Sequence, residues 1–199
     1  MHYSIKTTNS ELEVAFIQRR LERSKKYLEF GAGASTLMAS QVKRLKTMSI
    51  ETDPQFISYL KNQLPPNYLD ENNSSIMHVD IGPVGEWGWP IDIVTGESLP
   101  RYLMSILCMV NKSEFEPDLI LIDGRFRIAT FFVCLLSFPG STILFDDYVD
   151  RINYHVVEEV IKPKRCTGRI GEFKVPRRLK KGKLSELVVL LLKYAHDPS

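Results

Sequence analysis

The chain has 199 residues, 44% of them hydrophobic, and a net charge of +2. These values suit one α/β domain with a sizeable core and argue against a protein that binds polyanions over its whole surface. No stretch approaches the roughly 20 apolar residues that a membrane span requires, and residues 1–10 hold no apolar segment of a secretion signal, so a cytosolic protein with no membrane partner is expected.

Short apolar runs alternate with longer amphipathic stretches, the pattern of βαβ units around a mostly parallel sheet. No repeat, low-complexity tract or linker interrupts it, so residues 1–199 are expected to form one domain. Ser10 and Glu13 have the spacing of a capping box, opening a helix that runs to about residue 23. Strands are predicted at 26–30 and 46–50, with a helix at 35–45 between them. Asp53-Pro54 places a capping residue before a proline at the first helical position, and that helix stops near residue 64, before Pro65-Pro66. A third strand at 75–79 precedes a long segment, 81–117, that contains Trp87, Trp89 and a helix predicted at about 100–110. The two most apolar strands, 118–122 and 141–145, flank a buried helix at 128–138. A helix at 153–161, a hairpin of 164–169 and 172–176 turning at Ile170-Gly171, and a helix at 184–196 complete the chain. Cys108, Cys134 and Cys166 are widely spaced with no Cys-x-x-Cys pair, which argues against a disulfide framework or a zinc site.

Strands this apolar are buried on both faces of a parallel sheet, and ligands then sit beyond their carboxyl ends. The first strand ends in Glu29-Phe30-Gly31-Ala32-Gly33-Ala34-Ser35-Thr36. Glycines permit a tight turn and close backbone approach, and the helix that follows turns free N–H groups towards a ligand. Thr36 stands where a dinucleotide fingerprint has its third glycine, and Glu29 would repel a pyrophosphate but favour a cationic ligand. A nicotinamide-dependent oxidoreductase is therefore disfavoured. Glu51, at the end of the second strand, lies twenty positions after Gly31, where a carboxylate can accept both ribose hydroxyls of an adenosine cofactor. Asp80 ends the third strand, Asp123 the fourth, and Asp146 and Asp147 the fifth, which predicts a common acidic rim.

In order and spacing these motifs, over about residues 27–148, resemble those of class I S-adenosylmethionine (SAM)-dependent methyltransferases. The family's first motif is an acidic residue, any residue, Gly, any residue, Gly. The resemblance implies an α/β, three-layer Rossmann-like fold with a mostly parallel central sheet and a C-terminal antiparallel hairpin. It implies SAM as cofactor, with Glu29, Gly31, Ala32 and Gly33 against the methionine moiety and Ser35 and Thr36 at the helix start beside them. Glu51 then meets the ribose, Asp80 the adenine amino group and Ile81 the adenine ring. Trp87 and Trp89 either cover the adenine or the substrate, or pack in the core.

Neighbouring strands lie about 4.8 Å apart, so Asp123, Asp146 and Asp147 should converge, and like charges that close need neutralising. Oxygen ligands of this kind suit Mg²⁺. The cluster is similar to that of divalent-metal-dependent O-methyltransferases of the catechol and macrocin types, which implies Asp123, Asp146 and Asp147 as metal ligands and Asp123 beside the reacting hydroxyl. A metal there would lower the hydroxyl's pKa. The lysine that the catechol enzyme carries three positions after its strand-four Asp is replaced here by Phe126. Arg125 and Arg127 flank it; they either clamp an anionic substrate or pair with the carboxylates in place of a metal. His155, four residues before Glu159 on one helix face, is a candidate general base or an ordinary surface or core histidine.

The implied function is O-methylation of a small-molecule or saccharide hydroxyl, with SAM and with or without Mg²⁺. A catalytically silent SAM- or partner-binding protein is one rival, and an RNA- or amino-directed methyltransferase another. The basic stretch 162–183 reads as a solvated edge, with nucleic acid not expected as partner, because only Phe173 is available for base stacking. An Asn/Asp-Pro-Pro-Tyr motif is also missing. The apolar C-terminal helix, with Leu187, Leu191 and Tyr194, packs either on its own sheet or on a twin in a homodimer.

Overall fold

The computed structural model describes residues 5, 7–71, 74–91, 102 and 115–199. Its strands are β1 (Lys26–Phe30), β2 (Lys46–Glu51), β3 (Ser75–His78), β4 (Leu119–Ile122), β5 (Thr142–Phe145), β6 (Arg165–Thr167) and β7 (Ile170–Lys174). They form one sheet in the order β3-β2-β1-β4-β5-β7-β6, parallel except for β7, which pairs antiparallel with both β5 and β6. The helices are α1 (Glu11–Leu21), α2 (Ala34–Ser40), α3 (Pro54–Lys61), α4 (Tyr68–Glu71), α5 (Arg127–Ser137) and α6 (Lys181–Tyr194). The mostly parallel sheet with its C-terminal antiparallel hairpin is the architecture expected from the sequence.

Alternation along each strand builds the three layers, because successive side chains point to opposite faces. Leu28, Phe30, Ile120, Ile122, Ile143 and Phe145 belong to one core with Phe131, Phe132 and Leu135 of α5 and Leu187 and Leu190 of α6. Tyr27, Leu119, Leu121 and Leu144 face the other way, onto Phe16, Ile17 and Leu21 of α1 and Ala39 of α2. Leu187 and Leu190 thus pack on the chain's own sheet, while Leu184, Val188, Val189 and Leu192 of the same helix are exposed.

The local signals hold with shifted ends. Ser10 accepts from Glu13 N and the Glu13 side chain reaches back to Ser10 N, a complete capping box. Asp53 accepts from Gln55 N and Phe56 N at the start of α3. α2 ends at Ser40 instead of residue 45; the chain then turns through Arg44 at φ +65°. The helix predicted at 153–161 is a 3-10 helix, Ile152–Glu159. The helix predicted at about 100–110 lies outside the described residues apart from Tyr102. α5 has no side-chain cap; the carbonyls of Pro198 and Ser199 accept from Phe126 N and Arg127 N instead.

The hairpin turns at Gly168-Arg169, where Thr167 pairs with Ile170, and not at Ile170-Gly171. The reason is tertiary. Gly168 adopts φ +57° against α1, where a Cβ would lie 2.2 Å from Glu13 Oε1, and that same oxygen accepts from Arg169 N at 2.7 Å. The capping glutamate therefore fixes the hairpin turn as well as the helix.

Gly31 has φ +91°, and a Cβ built on it would stand 2.6 Å from Gly124 N. The turns after β1 and β4 are in backbone contact there. Gly31→Ala should lower the unfolding free energy by about 2 kcal/mol or more, from a strained φ and a clash with backbone that cannot rotate away. Urea unfolding checks this; an unchanged midpoint and slope would refute the contact.

Candidate functional site

The carboxyl ends of the strands open on a cavity of about 880 Å³. Its wall holds Gly31, Ala32, Gly33 and Ser35 from the glycine turn, Glu51, Thr52, Asp53 and Phe56 around the start of α3, and Trp87 and Trp89. Asp123 and Arg127 follow β4, and Asp146, Asp147 and Arg151 follow β5. Arg169 reaches in from the hairpin turn, and Thr7, Thr8 and Asn9 from the strap before α1.

Glu29 is placed differently from its expected role. Its side chain is fully buried beneath the turn and does not line the cavity. It accepts hydrogen bonds from the hydroxyls of Tyr27 (2.9 Å), Ser35 (2.6 Å), Thr36 (2.5 Å) and Ser49 (2.5 Å). Burial pushes its pKa up, and these hydroxyls oppose the shift. With two donors on each oxygen and no opening to the cavity, it has no lone pair directed at a ligand and braces the turn from below. Thr36, also fully buried, accepts from Gly33 N at 2.8 Å and donates its hydroxyl to Glu29. Its role is likewise structural, whereas Ser35 both touches Glu29 and faces the cavity.

Glu51 stands where the sequence put it. Its Oε2 accepts from Ala32 N at 3.1 Å, and its Oε1 from Thr52 N at 2.7 Å and Asp53 N at 3.0 Å. Burial raises its pKa, against the pull of the Asp53 and Thr52 amides. Asp80 and Ile81 do not reach the cavity. Asp80 is exposed and accepts from Gly82 N at 2.9 Å, and Ile81 is buried in the core. β3 is a short edge strand ending at His78, one residue earlier than predicted, and the cavity wall on this side comes instead from the segment 85–89. Trp87 is a wall residue with 75% exposure and φ +59°, so it is not core packing.

The carboxylates beyond β4 and β5 do converge, and each meets arginine. Arg127, 3% exposed, contacts Asp123 Oδ1 and Asp147 Oδ2 at 3.0 Å each. It also donates to the carbonyls of Gly124, Asp123 and Asp146. Arg151 contacts Asp147 Oδ2 at 2.9 Å. Arg169 contacts Asp146 at 3.3 Å and Asp147 at 3.2 Å, and donates to Thr8 Oγ1 at 2.7 Å. Asn9 Nδ2 adds a donor to Asp146 Oδ1 at 3.3 Å. Asp123 alone keeps substantial openness, with 37% of its side chain accessible. Partial desolvation at the cavity wall and the adjacent Asp146 push its carboxyl pKa well above the usual range, with Arg127 opposing.

This donor set does not fit a divalent metal. Both oxygens of Asp146 and of Asp147, and Oδ1 of Asp123, already meet guanidinium groups, and among the described residues no three His, Cys, Asp or Glu are arranged to hold an ion. Of the two ways left open for neutralising the cluster, pairing with arginine is the one the geometry favours, through Arg127, Arg151 and Arg169. His155 lies outside the cavity: its Nε2 is 3.1 Å from Tyr148 O and its ring 4.7 Å from the Tyr148 ring, so it is not placed to act as a general base there.

No family model matches this sequence, and no curated protein does. Among solved structures, a methyltransferase-like protein from Silicibacter pomeroyi superposes with a TM-score of 0.77 and 28% identity over 97% of this chain and 98% of that one. This chain has a methyltransferase fold. A putative caffeoyl-CoA O-methyltransferase from Staphylococcus aureus (TM-score 0.50, 16% identity, 94% of this chain and 73% of that one) shares that fold. So does an RNA methyltransferase from Salinibacter ruber in complex with S-adenosyl-L-homocysteine (SAH) (TM-score 0.50, 8% identity, 88% of this chain and 97% of that one).

Sequence reasoning missed the strap residues Thr7, Thr8 and Asn9 and the joining of Arg151 and Arg169 to the acids. The excess of arginine near the acidic strand ends was a signal for the second. Two outcomes follow. Glu29→Ala, which strands four buried hydroxyls, should cost at least about 2 kcal/mol in a denaturant melt; a loss within error would remove the bracing role. Calorimetric titration of Mg²⁺ should reveal no site tighter than on the order of 1 mM, whereas saturable micromolar binding lost in Asp147→Asn would restore the metal.

Proposed function

We propose that the protein is a SAM-dependent methyltransferase acting on a hydroxyl of a small molecule or saccharide. The observation that carries this reading is Glu51, a buried carboxylate in the cavity wall that is tied to Ala32 N of the glycine turn. A carboxylate fixed beside a glycine turn at the end of the adjacent strand is complementary to a ribose diol. The Gly31–Gly33 backbone and the Ser35 hydroxyl would hold the methionine end, and Thr52, Phe56 and Trp87 would wall the nucleobase. Bound SAM would supply an electrophilic methyl group on a sulfonium.

The chain's own residues do the rest. Asp123, the accessible member of the acidic cluster, accepts the proton of the acceptor hydroxyl. Arg127 grips both the Asp123 side chain and its carbonyl, which fixes the carboxylate's direction. Holding the acceptor oxygen and the methyl in one enclosed volume provides most of the rate gain through proximity. Arg165 and Arg169, in the basic stretch, are engaged by Glu172 and Asp146. That engagement reduces the free basic edge available to RNA and favours the small acceptor.

Glu51→Ala should weaken SAH binding at least tenfold, about 1.4 kcal/mol, by calorimetry; an unchanged dissociation constant would sink the ribose assignment. Proton acceptance needs the ionised form of Asp123, whose pKa is raised. Methyl transfer should therefore rise with pH through that raised value and fall away below it. A profile flat down to the ordinary carboxylate range, or full turnover by Asp123→Asn, would rule Asp123 out as the base.

A further inference from the structure

Among the described residues four arginines line the cavity, and three are paired. Arg127, Arg151 and Arg169 meet Asp123, Asp146 and Asp147 within 3.3 Å. Three guanidinium groups therefore face three carboxylates, and this part of the wall is balanced without help. Arg125 is the exception. It is 8% exposed, and its Nε and Nη1 are buried with no hydrogen-bond partner.

What surrounds Arg125 does not compensate its charge. The guanidinium lies 4.7 Å over the Trp89 ring. Stacking of that kind uses the face of the group and leaves the N–H donors, which radiate from its edge, unused. Burial pushes the Arg125 pKa down, and the cationic Arg127 and Arg151 push the same way. Tyr154 and Asp123 oppose them, but neither gives Nε or Nη1 a hydrogen-bond partner, and the Asp123 carboxylate is held by Arg127. An uncompensated buried cation with orphan donors, in the wall of a cavity, calls for a partner that the protein itself does not provide.

We propose that Arg125 is an anion-binding residue of this cavity, taking a carboxylate or phosphate group of the bound ligand on the free edge of its guanidinium. Nε and Nη1 lie on different sides of the guanidinium, so each can offer an N–H to an oxygen of either group, and the low-dielectric wall strengthens the pairing. Two ligands can bring this chemistry: an acceptor molecule that is itself anionic, or the methionine carboxylate of the cofactor. Naming these ligands rests on the methyltransferase reading; the unpaired charge does not. Sequence alone left Arg125 and Arg127 with two roles between them, and the structure divides those roles. Arg127 is spent on carboxylates of the protein, and Arg125 is kept for the ligand.

The test is calorimetry at constant ionic strength on wild type, Arg125→Met and Arg125→Lys. The probes are SAH, 5′-methylthioadenosine (the same nucleoside without its amino-acid end), inorganic phosphate and benzoate. The last two are titrated into both free and SAH-saturated protein. An acceptor-borne anion predicts that phosphate or benzoate binds wild type and is weakened at least tenfold in Arg125→Met, with SAH unchanged. A cofactor-borne anion predicts that SAH is weakened at least tenfold while methylthioadenosine is not. Arg125→Lys, which keeps the charge but loses the fork, should fall between, and Arg125→Gln replaces the methionine variant if that one does not fold. The proposal is overturned if Arg125→Met binds every probe as wild type does, or if SAH and methylthioadenosine weaken equally with no effect on the anions. A wild type that binds no SAH defeats the methyltransferase reading, while the phosphate and benzoate titrations of free protein still decide the anion site.

Discussion

The cavity exists because the backbones after β1 and β4 touch. Gly31 and Gly124 pack so closely that a Cβ on the first would lie 2.6 Å from the nitrogen of the second, and one on the second 2.9 Å from the nitrogen of the first. With both glycines in place, the two central parallel strands can end side by side and their following segments can diverge. The chain after β1 swings towards Glu51, and the chain after β4 swings towards Asp146 and Asp147.

Two polar networks hold the divergent segments, and they differ in kind. Beneath the glycine turn, one buried carboxylate, Glu29, is caged by four hydroxyls. Placing one charge there is costly, and the hydroxyl dipoles offset the cost without bringing a second charge into the core. Beyond β4 and β5 the solution is ionic, with three aspartates and three arginines drawn from the segments after β4 and β5 and from the hairpin turn. Buried ion pairs are a poor source of net stability, because desolvation offsets most of their attraction. Their value here is positional. They tie the hairpin turn to the sheet rim, and Asn9 and Thr8 bind the strap before α1 to the same cluster.

This arrangement separates two kinds of methyltransferase-like site that share a sequence signature. An aspartate after strand four and an aspartate pair after strand five resemble a metal centre on paper. The same three residues become a closed ion-pair network once arginines arrive from elsewhere in the fold. Arg169 is the clearest case. It sits in a basic stretch that reads as a solvated edge, and it is drawn inward because Glu13, the capping residue of α1, holds the turn on which it stands.

The sequence by itself determined the elements and their order. Capping residues, glycine turns and apolar period are local signals, and they placed the seven strands of the described residues, with the hairpin turn two residues off, and the mostly parallel architecture. It also located Glu51, whose position is set by counting along one βαβ unit from Gly31. Tertiary structure decided whatever depends on side chains converging from distant segments. Glu29 faces hydroxyls from three places in the chain and not a ligand, and Asp80 is turned to solvent by a short edge strand. His155 is held outside the cavity against Tyr148. Arg127 and Arg125 stand two residues apart with opposite fates, because Arg127 at the helix start lies among carboxylates and Arg125, two positions earlier, lies against Trp89. Charge pairing depends on distance in space, and separation along the chain does not encode it.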